Sequence, residues 1–185
     1  MEDTYIKDVV FITGNEKKAE YLGKLLGHPI EHVKVDLDEI QSLDLHEVVR
    51  HKLRQAYAAV KRPVLVEDVS LEFAALGRLP GTFIRWFMDE LSHEELCRLI
   101  DGKDRKAAAR SVFGYFDGET ETLFEGEMEG TVPEHPAGQG GYGWDPIFVP
   151  EGYAVTRAEL SPEDDEKTYM KIKPIAAIGA FLTSA

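Results

Sequence analysis

Apolar and polar positions fall along this chain in blocks that alternate between a strand-like and a helix-like period. Residues 7–13 carry the run Val9-Val10-Phe11-Ile12, which predicts a buried strand. Gly14-Asn15 breaks it, and Ala19, Leu22, Leu25 and Leu26 then recur at helical spacing, with Gly27 placed to cap the helix end. A second strand is predicted over 32–37, where Val33 and Val35 alternate. Over 44–61, Leu45, Val48, Val49, Leu53, Ala56, Tyr57 and Val60 share one helix face. Pro63 stops that helix, and Val64-Leu65-Val66 predicts a short buried strand ending at Glu67-Asp68.

Beyond Pro80-Gly81 the pattern predicts short helices near 82–90 and 92–101. Residues 107–117 and 120–131 read as two strands joined by the hairpin signal Asp117-Gly118. A Gly-rich stretch at 138–148 leads into a short strand at 147–149. The acidic run Glu163-Asp164-Asp165-Glu166 reads as a solvated turn or a helix start. A last helix opens at Pro174, acceptable at a first helical position, and packs through Ile175, Ile178, Phe181 and Leu182. With no internal repeat, low-complexity tract or clear linker, residues 1–185 read as a single α/β domain.

Composition narrows the chemistry. Hydrophobic residues make up 43% of the 185 residues and charged residues 30%, ordinary for a globular chain able to bury a substantial core. No stretch approaches the ~20 apolar residues that span a bilayer. The start, Met1-Glu2-Asp3-Thr4, is acidic and lacks a leader pattern, so a cytoplasmic protein is expected. Cys97 stands alone, which excludes an internal disulfide and any multi-cysteine metal site. Its helical neighbours Leu96, Leu99 and Ile100 suggest a buried, inert thiol. Lys and Arg total 21 against 34 Asp and Glu, a net charge of −13. Such a surface repels nucleic-acid polymers. A small anion is still compatible where a few lysines converge and a divalent metal offsets the acids.

Four constellations carry candidate chemistry, each with a plainer alternative. Thr13-Gly14-Asn15-Glu16-Lys17-Lys18 joins a strand to a helix, where unpaired N–H groups and the helix dipole favour phosphate. It is not a Walker A loop, because the spacing and second glycine are absent. Asn15 could equally be a plain N-cap beside solvated lysines. Glu67-Asp68 sits at the end of an apolar strand, where open α/β sheets place ligands. Adjacent strand residues point to opposite faces, so only one of the two should enter a given cleft. A carboxylate there could hold Mg²⁺ or accept a proton from water, or could simply cap a turn. Glu39 is a candidate second metal carboxylate or surface charge. Lys52, Lys167, Lys171 and Lys173 matter only if they converge on a phosphate site.

The fourth, Gly138-Gln139-Gly140-Gly141-Tyr142-Gly143-Trp144-Asp145-Pro146-Ile147-Phe148, combines glycines, aromatic faces and a carboxylate. A nucleobase could stack on the rings while Asp145 accepts from N–H donors on its edge. A hairpin anchored to the core by Trp144 and Phe148 fits equally well.

Taken together and in this order, the segments Phe11-Ile12-Thr13-Gly14-Asn15-Glu16-Lys17-Lys18, Val64-Leu65-Val66-Glu67-Asp68, Leu76-Gly77-Arg78-Leu79-Pro80-Gly81 and Gly143-Trp144-Asp145-Pro146-Ile147-Phe148 resemble the inosine-triphosphate pyrophosphatase family. The resemblance implies an elongated mixed central β-sheet flanked by helices, two lobes with an active-site cleft between them, and commonly a homodimer. It implies Mg²⁺-dependent hydrolysis of non-canonical purine nucleoside triphosphates such as ITP, dITP and XTP to monophosphate and pyrophosphate. Carried over by position, Thr13, Gly14, Asn15 and Lys18 would hold the triphosphate with help from Lys52. Glu39 and Asp68 would serve the metal, with Asp68 also the base. Tyr142, Gly143, Trp144 and Asp145 would form the base pocket, with Tyr142 where the family usually has phenylalanine. Lys167 would match a substrate-contacting lysine.

One segment departs from the family pattern. Where the family usually carries Ser-His-Arg, whose His and Arg help read the purine 6-oxo group, this chain has Lys171-Ile172-Lys173. Ile172 cannot hydrogen-bond a base, and Lys173 would retain a cation there without arginine's planar fork. Altered or broad base preference, or a catalytically weak nucleotide sensor, are therefore the alternatives to strict selection of 6-oxo purines.

Overall fold

The computed structural model describes residues 7–184, so the acidic stretch Met1-Glu2-Asp3-Thr4 lies outside the described residues. Its strands are β1 (Val10–Ile12), β2 (Glu31–Val33), β3 (Val64–Phe73), β4 (Pro80–Gly81), β5 (Lys106–Phe116), β6 (Glu121–Thr131) and β7 (Val149–Pro150). Its α-helices are α1 (Glu16–Leu26), α2 (Leu45–Val60), α3 (Ile84–Glu90), α4 (His93–Arg98), α5 (Pro162–Ile172) and α6 (Ile175–Thr183). The strands form one mixed sheet of seven in the order β2-β1-β3-β5-β6-β7, with β4 paired to β3. Both β2 and β3 run parallel to β1, while β3–β4 and β6–β7 are antiparallel. A mixed central sheet flanked by helices, as the sequence predicts, is what the chain adopts.

Two compact units divide the described chain. The first comprises the residues up to Asp68, Val112–Glu125 and the segment from Pro174 onward; the second comprises Val69–Ser111 and Gly126–Lys173.

In the first unit, side-chain alternation along β1 and β3 sorts the core. Val10, Ile12, Val64 and Val66 pack with Leu45, Val49, Leu53 and Ala56 of α2 and with Val112 of β5. Phe11, of opposite parity, stacks on Phe113 with ring centroids 6.1 Å apart. A side chain at Gly114 of β5 would put its Cβ 2.6 Å from both Val49 Cγ1 and Leu53 Cδ1. Glycine there lets α2 lie directly on the strand. Fully buried leucines such as Leu53 each contribute about 2–3 kcal/mol by leaving water. Asp44 caps α2, its Oδ1 accepting from His46 N–H at 2.9 Å.

The second unit has its own core, in which Leu71, Phe73, Leu96, Cys97, Ile100, Met128, Trp144, Ile147, Phe148 and Ile172 come together. Burial pushes the Cys97 thiol up to about 11, which suits an inert packing residue. Ser92 starts α4 through a reciprocal capping box with Glu95. No α-helix of the described residues is long and apolar enough to cross a membrane.

Three expectations are corrected. Strand β2 covers only Glu31–Val33 and is exposed throughout, because it is an edge strand paired to the three-residue β1. Strand β3 does not stop at Glu67-Asp68 but continues to Phe73; the two acids break its apolar run without breaking its backbone. The expected strand at 147–149 is a 3₁₀ turn over Asp145–Ile147 followed by the two-residue β7, since Pro146 enters the turn. The acidic run at 163–166 lies in the first turns of α5, where its charge suits the helix dipole.

Candidate active site

The phosphate-turn residues lie where β1 hands over to α1. Asn15 is the N-cap: its Oδ1 accepts from Lys18 N–H at 3.1 Å, and its own N–H donates to Thr13 Oγ1 at 3.1 Å. Thr13 N–H donates to the Val33 carbonyl at 3.1 Å, fixing the turn to β2. The N-cap alternative is thus realised. It leaves the first-turn N–H groups of α1 at the end of the strand, beside Gly14, where an anion is favoured.

Alternation along β3 decides where Glu67 and Asp68 point. The parity of Glu67 is that of Leu65, and it meets Lys18 of α1, with Nζ–Oε2 at 2.5 Å and the Glu67 side chain fully buried. Lys18 Nζ also stands 5.8 Å from the centre of the Phe11 ring. Asp68 shares parity with Val64 and Val66, which pack on α2, and meets Lys52 of α2 at 2.7 Å. The two acids therefore serve opposite faces of the strand. β1 pairs with β3 only at Val64 and Leu65, so Glu67 and Asp68 lie past the end of that pairing although β3 itself runs on.

Lys52 is also 3.3 Å from Glu39, so Glu39 and Asp68 converge on one ammonium. Burial of Lys52 works against its charge, but the Asp68 and Glu39 carboxylates outweigh that and hold its pKa above the usual lysine range. Among the described residues no group of three or more His, Cys, Asp or Glu could by itself enclose a metal. Two neighbouring carboxylates nonetheless fit Mg²⁺, which takes one or two protein carboxylates, waters and substrate phosphate oxygens. A fully enclosing protein cage is not what the donor set suggests.

The second unit holds the Gly-rich loop. Trp144 is buried and meets Phe148 edge to face, ring centroids 5.5 Å apart, so it anchors the loop. Tyr142 is 83% exposed and offers its ring to solvent. His93, at the start of α4, reaches the Gly143 carbonyl with Nε2 at 2.9 Å. Asp145 is buried, and its Oδ2 accepts from Tyr142 N–H at 2.7 Å. Gly141 has φ +74°, and a Cβ there would collide with that carboxylate, so the approach of Asp145 to the loop backbone requires glycine. The anchored-hairpin and exposed-ring readings thus hold together: Trp144 supplies the anchor and Tyr142 the open face.

The structure adds a residue that periodicity gave no reason to choose. Arg157, in the 3₁₀ turn Arg157–Glu159, is buried with Nη1 3.3 Å from Asp145 Oδ1. It also pairs with Asp165 and donates from Nε to Thr168 Oγ1 at 3.2 Å. Burial pushes the Asp145 carboxyl up, opposed by Arg157, the Tyr142 N–H and Lys173 and reinforced by Asp165. Lys173 is largely buried, with Nζ 5.9 Å from the Tyr169 ring centre. Ile172 lies wholly in the core. Lys167 is exposed and pairs along α5 with Glu163 at 2.8 Å and Asp164 at 3.3 Å. The candidate residues therefore fall in two sets, one in each unit, with Lys167 engaged along α5 rather than with the loop. A buried arginine in a turn leaves no periodic trace; only its meeting with Asp145, Asp165 and Thr168 in space betrays it.

Comparison with known proteins gives these sets a context. A family model described as the Ham1 family matches residues 9–180. Inosine triphosphate pyrophosphatase 2 of Trypanosoma cruzi is 42% identical over 177 residues, covering 93% of this chain and 90% of that protein. Inosine triphosphate pyrophosphatase of Batrachochytrium dendrobatidis is 38% identical over 184 residues, covering 97% and 96%. Among solved structures, a nucleoside-triphosphatase, or dITP/XTP pyrophosphatase, from Mycobacterium abscessus superposes with TM-score 0.77 at 25% identity, covering 92% of this chain and 97% of that one. A HAM1 protein from Coxiella burnetii shares the fold with TM-score 0.84 at 24% identity, covering 96% and 98%.

Proposed function

The chain belongs to the Ham1 family, and from that premise we propose that it hydrolyses nucleoside triphosphates of the ITP, dITP and XTP kind to monophosphate and pyrophosphate. The observation that carries the reading is the convergence of Glu39 and Asp68 on Lys52. Two carboxylates and a lysine at the end of a parallel strand pair are the parts that attack at a phosphorus requires.

Thr13, Gly14, Asn15 and Lys18 take the triphosphate at the α1 N-terminus, and Lys52 adds positive charge. Glu39 and Asp68 would hold Mg²⁺, which supplies charge neutralisation on the polyphosphate oxygens. Asp68 also accepts the proton of the attacking water. Lys18 reaches phosphate only by sharing its charge with Glu67, so the pair sets how strongly the lysine engages an anion. The base stacks on Tyr142 and meets the Asp145 edge of the loop, with Gly143 and Trp144 shaping it. Lys173 adds positive charge near that carboxylate. Lys167 contacts substrate after releasing its acidic neighbours on α5. Both units act as one pyrophosphatase domain, and the protein works as a cytoplasmic homodimer; sedimentation at micromolar concentration tests the dimer.

Pyrophosphate release from ITP, XTP, GTP, ATP and pyrimidine triphosphates, with Mg²⁺ and with EDTA, tests the reading. Rapid release from ITP or XTP that EDTA abolishes is expected. Nucleotide binding without pyrophosphate from any substrate would leave a nucleotide sensor instead.

A further inference from the structure

The Gly-rich loop ends in a carboxylate whose surroundings are more constrained than the loop's exposed tip. Asp145 is fixed at both oxygens: Oδ2 by the Tyr142 N–H at 2.7 Å and Oδ1 by the Arg157 guanidinium at 3.3 Å. Arg157 is itself locked by Asp165 and by Thr168 Oγ1, and Thr168 Oγ1 in turn donates to the Asp165 carbonyl at 3.0 Å. Three segments, the loop, the 3₁₀ turn and α5, therefore meet at one buried guanidinium.

We propose that Arg157 is a specificity-positioning residue, which holds Asp145 as an ionised, acceptor-only carboxylate and so makes the site prefer bases with an N–H at the N1 edge over adenine. The inference rests on the pyrophosphatase reading above and adds the residue that sets base choice. Hypoxanthine, xanthine and guanine carry a hydrogen on N1, whereas adenine presents a lone pair there. A carboxylate accepts from the former and repels the latter; a protonated acid could donate to adenine N1. Burial alone drives Asp145 toward the protonated form. Arg157, 3.3 Å away, is the stronger of the two cations that oppose this, with Lys173 adding to it and Asp165 working against it. Each carboxylate oxygen has a second lone pair after its internal partner is counted, so Asp145 keeps acceptor capacity for a base. The cation that the sequence at 171–173 lacks in arginine form is thereby provided from a different turn of the chain. Arg157 does not touch substrate in this account; it acts through Asp145.

The test measures kcat/KM for ITP and ATP from pH 6 to 9 with the full chain and Mg²⁺, comparing wild type, Arg157→Gln, Arg157→Lys and Asp145→Asn. For Arg157→Gln the ITP:ATP ratio should fall by about 10-fold or more, the scale of a lost hydrogen-bond discrimination. The loss should fall mainly on ITP and recover as pH rises and Asp145 ionises without its partner. Arg157→Lys should keep most of the ratio. A folded Arg157→Gln whose ratio is unchanged, or which loses both substrates in equal proportion at every pH, overturns the proposal, because packing alone would do that. Should Arg157→Gln not fold, Asp145→Asn decides: its amide can donate to adenine N1, so the ratio must drop, and an unchanged ratio overturns the proposal. A wild type that treats ITP and ATP alike overturns it while leaving the pyrophosphatase reading standing. A wild type inactive on every triphosphate removes that reading itself.

Discussion

The two sets of candidate residues are built on different principles. In the first unit, most of the charged groups sit on regular structure: Asp68 and Glu67 on β3, Lys18 on α1 and Lys52 on α2, with Glu39 alone of the set coming from the segment between β2 and α2. Their pairings follow from strand alternation and helix placement. In the second unit, the carboxylate rests in a loop shaped by glycine, pinned by a backbone N–H and by an arginine from a 3₁₀ turn. The first arrangement is a frame on which charge is mounted; the second is a polar cluster that itself shapes the chain. Mutations in the first should therefore cost activity more than stability, and anchors in the second should cost stability first.

The largest expected effect lies at the anchor. Trp144→Ala removes a buried ring from the core with Phe148, and urea denaturation should show a loss of about 3–5 kcal/mol. A loss under about 0.5 kcal/mol, the level of an ordinary surface change, would break the contrast. Next comes Asp68→Asn, which should cut kcat by at least ~100-fold, the lower range for positioned acid–base catalysis, while the fold persists. Near-normal turnover would assign the base elsewhere.

Much of this contrast is legible in the sequence itself. The apolar runs and helical spacing place β1, α1, α2 and the 107–131 hairpin, and the order of four short segments points to a nucleotide enzyme. Glu67 and Asp68 could be read as facing opposite ways from alternation alone, and Asn15 as an N-cap from its place between run and helix. Other features could not be read. The continuation of β3 to Phe73 depends on pairing with β4 and β5, a tertiary gain that outweighs two acids in the strand. Arg157 carries no periodic or motif signal, since its role arises only when residues 145, 157, 165 and 168 meet in space. Trp144 is ambiguous in the sequence because one aromatic residue can serve equally as wall or anchor, and burial decides between them.

Smaller effects sharpen the comparison. Tyr142→Ala should leave stability nearly unchanged, because the ring is exposed, yet raise KM for ITP about 10-fold, within the range for one stacked base. A large drop in stability with no change in KM would make Tyr142 a structural residue. Lys52 provides the gentlest probe. Its pKa is raised in the folded protein, so its pairing contributes fully at neutral pH and is lost as pH rises through that raised value. The stability gap between wild type and Lys52→Met should therefore hold steady near neutrality and shift against wild type only in strong alkali. A gap that grows in wild type's favour as pH rises would contradict the pairing.

The central claim is that water attacks to release pyrophosphate, and the products of a single substrate test it most directly. ³¹P NMR of ITP hydrolysis with Mg²⁺ should show IMP and pyrophosphate in equal amounts from the first turnover, with no IDP. Appearance of IDP and orthophosphate as the initial products would place cleavage at the terminal phosphate and contradict the account.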